Sequence, residues 1–198
     1  MDIGNKRIIL ASGSPRRREL LAGLDIEFEI DTRNSFEESY SSDTPHRQIP
    51  VLMSEGKSDG FHRQLDKDEI LITADTMVLC GEKVLGKPRG RDEKEKAEDA
   101  AGMLRILSGK THEVITAVTI RDTYRHETFT DSAYVQFKEL TEGEISYYIR
   151  KYRPFDKAGS YGVQEWIGYT GITAIRGSFY TVMGLPVHLV YSHLESFL

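Results

Sequence analysis

The sequence is nearly without cysteine and tryptophan, with one of each among 198 residues. A single thiol, Cys80 in the apolar run MVLC, can build neither a disulfide framework nor a cysteine metal site, so it reads as a buried core thiol in a reducing compartment. Positive charge is also short. With 26 Lys and Arg against 31 Asp and Glu the formal net charge is −5, which excludes a general nucleic-acid-coating role and makes any basic cluster local. Long hydrophobic runs are missing too, since no stretch approaches the roughly 18 apolar residues of a membrane span. The apolar run in MDIGNKRIILAS is too short for a secretory signal, so a cytoplasmic setting without a membrane partner is expected. The 6 histidines have no metal-ligand spacing, and no G-x-S-x-G elbow of a covalent serine hydrolase occurs.

The residues that are present alternate between strand and helix periodicities, over a length that suits one domain, residues 1–198, with a sizeable core. Arg7 to Ser12 reads as a strand, and Pro15 to Leu24 as a helix with Ser14 as N-cap and Pro15 at its first position. The polar stretch from Asp31 to Thr44 reads as a loop. A helix is expected from Pro50 to about Gln64, then strands EILITAD and TMVLC around a polar break at Asp75. Asp92 to Leu107 is a helix with Ala97, Ala101, Leu104 and Leu107 on its apolar face and Gly109 as its stop. THEVITAVTIRD and ETFTDSAYVQF read as a hairpin, and TEGE has the spacing of a capping box opening a helix through Arg150. A glycine-rich irregular stretch follows, and the chain ends in a closing helix. Hairpins beside strand-to-helix units imply an α/β domain with a mixed sheet flanked by helices.

Two stretches carry phosphate chemistry on their face. GEKVLGKP, Gly81 to Pro88, matches a phosphate-binding P-loop at every position but the last, where Pro88 lacks the hydroxyl that holds magnesium; a hairpin turn at Gly81 explains the glycines better. SGSPRRREL places Arg16, Arg17 and Arg18 where a helix begins and its partial positive charge is greatest. That arrangement is unfavourable unless an anion sits among the guanidiniums.

SGSPRRREL, TADTMV, LGKP and DKAGSYGVQ, in this order and with SGKTHEVITAV and MGLPV between and after them, resemble the Maf family of nucleotide pyrophosphatases, which are related in fold to the inosine triphosphate pyrophosphatases. The resemblance covers nearly the whole chain and implies two lobes around a cleft, a nucleoside triphosphate substrate, a divalent cation (Mg or Mn) and a dimer. The combination of ADT with YGxQ resembles the branch acting on dTTP and UTP rather than on 7-methyl-GTP. Carried over by resemblance, Ser12, Arg16, Arg17, Lys57 and Lys87 engage the phosphates. Asp75 is the catalytic carboxylate activating water, and Glu38 joins it as a metal or water partner, with Glu37 as the alternative. Arg16, Thr76 and Gln164 select the base. The family usually has glycine after this glutamine, whereas Glu165 and Trp166 follow here, with Trp166 read as a core plug or a base-stacking ring. His112 matches a position beside the site and reads as structural. The resemblance also admits a second role, regulatory nucleotide binding at septum formation with little turnover.

Overall fold

Two short apolar runs, IIL at 8–10 and ILI at 70–72, pair side by side and are almost completely shielded from water, as runs in a parallel strand covered on both faces must be. In chain order the elements of the computed structural model, which describes residues 3–198, are β1 (Arg7–Leu10), α1 (Pro15–Ala22), β2 (Phe28–Ile30), α2 (Ile49–Asp59), β3 (Glu69–Cys80) and β4 (Lys83–Leu85). There follow α3 (Glu93–Leu107), β5 (Thr111–Arg121), β6 (His126–Phe137), α4 (Glu142–Tyr152), α5 (Trp166–Gly171), β7 (Ile172–Arg176), α6 (Phe179–Met183) and α7 (Val187–Glu195). Among the described residues they form one mixed seven-stranded sheet of order β2-β1-β3-β5-β6-β7, with β4 paired to β3. β1 runs parallel to β2 and β3, whereas β4 and β7 are antiparallel to β3 and β6. No helix among the described residues is long and apolar enough to cross a membrane.

The chain resolves into two compact units, and β3, β5 and β6 each contribute to both. The first holds residues up to Thr76, Thr116–Asp131 and Gly184–Leu198; the second holds Met77–Ile115 and Ser132–Met183.

Several elements form where the sequence signals place them. Ser14 accepts the backbone N–H of Arg17 as N-cap of α1, with Pro15 at its first position. Thr141 and Glu144 make the reciprocal capping box of α4. Gly81, at φ +59°, opens the two-residue turn that pairs Cys80 with Lys83, so GEKVLGKP is a hairpin.

Other expectations are corrected. Asp75 is no break: β3 runs unbroken through it for 12 residues, because Asp75 and Thr76 each find polar partners while the residues around them stay in the core. The helix expected to Gln64 stops at Gly60, which caps α2. The buried face of α3 is Ala100, Leu104 and Leu107, with Ala97 and Ala101 only half-buried at its margins. The glycine-rich stretch after α4 is ordered into α5, β7 and α6; Gly177 (φ +114°) and Gly184 (φ +110°) supply the turns between them and beyond, in conformations other residues rarely adopt.

Candidate active site

The first unit gathers charge around β3. Lys57, in the last turn of α2, places Nζ 2.6 Å from Asp75 Oδ1 and 2.9 Å from Glu38 Oε1. Lys57 and Asp75 are each about four-fifths shielded, whereas Glu38 is largely exposed on its loop. Two acids 37 residues apart in sequence thus converge on one ammonium. Glu38, and not its exposed neighbour Glu37, makes this contact.

The Glu38 loop is strapped to the end of α2. Asn34 Nδ2 donates to the carbonyl of Lys57 at 2.5 Å, its Oδ1 accepts from the N–H of Phe36, and Ser35 N–H donates to the carbonyl of Gly60. Phe36 packs against Gly56, where a Cβ would overlap the ring. Glycine at 56 is therefore what lets the loop approach closely enough for Glu38 to meet Lys57. At the same helix end, Arg121 donates to the carbonyl of Ser58.

Beside this cluster stands a second arrangement. Arg17, part-buried in the first turn of α1, donates from Nη1 to Ser12 Oγ (3.3 Å), from Nη2 to Thr76 Oγ1 (3.1 Å) and from Nε to the carbonyl of Gly184 (2.8 Å). Ser12 Oγ also accepts the N–H of Ser14, and Thr76 shares a hydroxyl contact with Thr116. Burial and the neighbouring Arg16 guanidinium lower the Arg17 pKa, and Asp75 and Glu38 work against that shift. A fixed cation at a helix start, with the N-terminal dipole behind it, attracts phosphate oxygens. Thr116 and Gly184 had no role in the motif reading. Only MGLP hinted at Gly184, and its small size matters because a Cβ there would sit 3.2 Å from Thr76 Oγ1. Arg16 is half-buried and Arg18 exposed on α1.

Lys87 and Gln164 belong to the second unit. Lys87 is exposed, in the segment after β4 where Pro88 is buried. Gln164 lines a cavity of about 410 Å³ with Val163, Tyr169, Ile172, Ala174 and Phe179 among its walls, large enough for a small-molecule ring. Its Oε1 is buried and has no hydrogen-bond partner in the protein. A buried acceptor without a donor costs free energy, and a ligand N–H would recover it. Trp166 is absent from this lining; its ring meets Tyr147 edge-on at 4.8 Å, half-buried in packing.

His112 is structural in this geometry. Its Nε2 meets the Tyr161 hydroxyl at 2.7 Å, its ring stacks on Phe137, and burial lowers its pKa to about 4, so it is neutral at pH 7.

Over nearly its whole length the chain is similar to known proteins. Residues 7–197 match the model of the family described as Maf-like protein. A dTTP/UTP pyrophosphatase of Bacteroides thetaiotaomicron is 48% identical over 189 residues, covering 96% of this chain and 95% of its own. Its counterpart in Porphyromonas gingivalis is 46% identical over 193 residues (96% and 94%), and that of Flavobacterium johnsoniae is 42% identical over 190 (96% and 94%). Among solved structures the Ham1 protein of Staphylococcus aureus superposes with a TM-score of 0.51 at 12% identity, over 98% of this chain and 100% of that one, a likeness of fold. The mixed α/β fold and the near-complete match to that family together establish that the chain belongs to the Maf family.

Proposed function

We propose that this chain is a nucleoside triphosphate pyrophosphatase that hydrolyses dTTP and UTP between the α- and β-phosphates, releasing the monophosphate and pyrophosphate. The observation that carries this reading is the convergence of Glu38 and Asp75 on Lys57, beside an Arg17 held by Ser12, Thr76 and Gly184. Its relatives bearing the dTTP/UTP pyrophosphatase name share nearly half of its residues over nearly their whole lengths.

In this reading Asp75 accepts the proton of the water that attacks the α-phosphorus. Lys57, 2.6 Å away, holds the Asp75 carboxylate in place. Arg17, with Ser12 and Arg16, receives phosphate oxygens at the start of α1, and Lys87 is a further phosphate contact. Thr76 and Gln164 read the base: a glutamine amide donates and accepts, which matches the imide edge of uracil and thymine.

Glu38 and Asp75 also fit a divalent cation. They already share one positive charge, and magnesium is ordinarily held by one or two carboxylates with substrate phosphates completing its shell. When bound there, such an ion would supply neutralisation of charge on the phosphate oxygens. A cytoplasmic dimer completes the proposal.

The test is pyrophosphate release from dTTP, UTP, CTP, ATP, GTP and 7-methyl-GTP with magnesium or manganese, for wild type and Gln164→Glu. The proposal expects dTTP and UTP to lead and Gln164→Glu to erode that lead more than it weakens phosphate affinity. Preference for the methylated purine would overturn the base assignment. Tight nucleotide binding without turnover would favour the regulatory role, for which a carboxylate beside three phosphates has no use.

A further inference from the structure

Glu165 follows Gln164 in the chain, and the structure gives it a definite task. Its carboxylate accepts the Tyr148 hydroxyl on Oε2 and lies 3.1 Å from the Lys157 ammonium on Oε1. The same Tyr148 oxygen accepts the N–H of Gly162 at 3.0 Å, and Glu165 N–H returns to the carbonyl of Gly162, also at 3.0 Å. The segment 161–165 is thus closed on itself and bolted to α4 at the Tyr148 hydroxyl, through the Glu165 carboxylate and the Gly162 N–H. Tyr148 is fully buried and the Lys157 side chain nine-tenths so, which shields this polar network from competing water. Gly162 takes part by having no side chain: a Cβ there would lie 2.7 Å from Glu165 Cδ and 2.9 Å from Oε2. The residue held inside this closure is Gln164, which lines the 410 Å³ cavity and whose Oε1 is buried without a partner.

We infer that Glu165 is a positioning residue for base selection: the Tyr148–Glu165–Lys157 clamp fixes the segment 161–165 so that the Gln164 amide is presented to the base in one orientation. This rests on the reading of the chain as a dTTP/UTP pyrophosphatase. An amide free to turn over would accept from the N3–H of uracil in one pose and donate to the unprotonated N3 of cytosine in the other. Held still, it favours one edge. Selectivity is therefore set by a side chain that does not touch the base.

The experiment measures kcat and KM for UTP and CTP with the full-length chain, together with Tm, for wild type, Glu165→Ala, Glu165→Gln and Gly162→Ala. Glu165→Gln keeps an acceptor for Tyr148 and loses only the charge facing Lys157. Gly162→Ala leaves the carboxylate intact and pushes it off its partners. The expected result is a UTP/CTP ratio of kcat/KM lowered by about tenfold or more in Glu165→Ala and Gly162→Ala, and by less in Glu165→Gln, with the change lying mainly in KM. Variants that lose Tm while keeping the wild-type ratio would overturn the inference and leave Glu165 a scaffold residue only. A milder loss in Glu165→Gln keeps it testable if Glu165→Ala does not fold. If the wild type itself fails to separate UTP from CTP, the reading of Gln164 fails first and this inference with it; if the wild type separates them and the variants do too, only this inference falls.

Discussion

The first unit and the second unit handle polar groups in opposite ways. Around β3 in the first unit, opposite charges satisfy one another: Lys57 is shared by two acids, and Arg17 spends its donors on two hydroxyls and a carbonyl. In the second unit the cavity wall is mostly apolar and includes Gln164, whose buried Oε1 has no partner, next in the chain to Glu165 of the closed network with Tyr148 and Lys157. On the proposed reading phosphates meet groups already bonded to one another, so the first arrangement tolerates many anions and gains strength from charge. On the same reading a base supplies the partner that Gln164 lacks, so the second discriminates. Affinity and selectivity are thereby lodged in different kinds of chemistry.

The comparison breaks most visibly at Asp75. On the proposed reading Asp75→Asn removes the proton acceptor and one negative charge, so turnover should fall by about a hundredfold to ten-thousandfold while nucleotide binding holds or tightens. Pyrophosphate release and equilibrium binding check the two halves separately, and a variant keeping most of the wild-type rate would remove Asp75 from its role.

The buried base of the second unit offers a pH test. His112 titrates near pH 4 in the fold against about 6.5 in an unfolded chain, so folding stability from this residue is fully present above pH 6.5 and is lost as pH falls towards 4. That difference corresponds to about 3 kcal/mol. Denaturant unfolding at pH 7, 5.5 and 4.5 should show a slope that His112→Leu flattens, measured against the wild type so that the carboxylates cancel.

Arg17→Ala should cost about 1.5 to 3 kcal/mol of phosphate engagement, or about 10- to 150-fold in kcat/KM, with the fold retained. Equal kinetics in wild type and variant would move the phosphate contact elsewhere. The smallest effect belongs to Gln164→Leu. Because Oε1 has no partner in the free protein, an apolar replacement of similar size should leave Tm unchanged or slightly raised while lowering kcat/KM for UTP. A clear fall in Tm would mean that the amide is structural.

These contrasts also explain what could be read from the sequence. Capping chemistry is local, so Ser14, Thr141 and Glu144 declared their helices, and Gly81 its turn. Convergence is not local. Asp75 looked like a break because a carboxylate inside a strand is costly, and nothing near it in the chain reveals the Lys57 that makes it tolerable. Glycines at 159–184 looked like irregular chain, although three of them, Gly159, Gly177 and Gly184, hold left-handed conformations between and beside short elements. β7 has no strict alternation to announce it, with burial falling on Ile172 and Ile175. Motif order, rather than periodicity, brought Glu38, Lys57 and Asp75 forward as candidates; the strap of Asn34 and Phe36 on Gly56 and Gly60 left no such mark.

That strap sets which parts of the chain can change length. Phe36 on Gly56 acts as a register pin two residues ahead of Glu38, and one added or deleted residue between them would displace the carboxylate by about 3.4 Å along the chain, more than the 2.9 Å of its bond to Lys57. Beyond Glu38, residues 39–44 are exposed except Thr44, and their hydrogen bonds are local ones among Ser41, Ser42, Asp43 and Thr44. Insertions, tags or a fluorescent reporter therefore belong at 40–43, where the loop can grow without disturbing the acid it carries, whereas 34–38 has to be inherited as a block of fixed length.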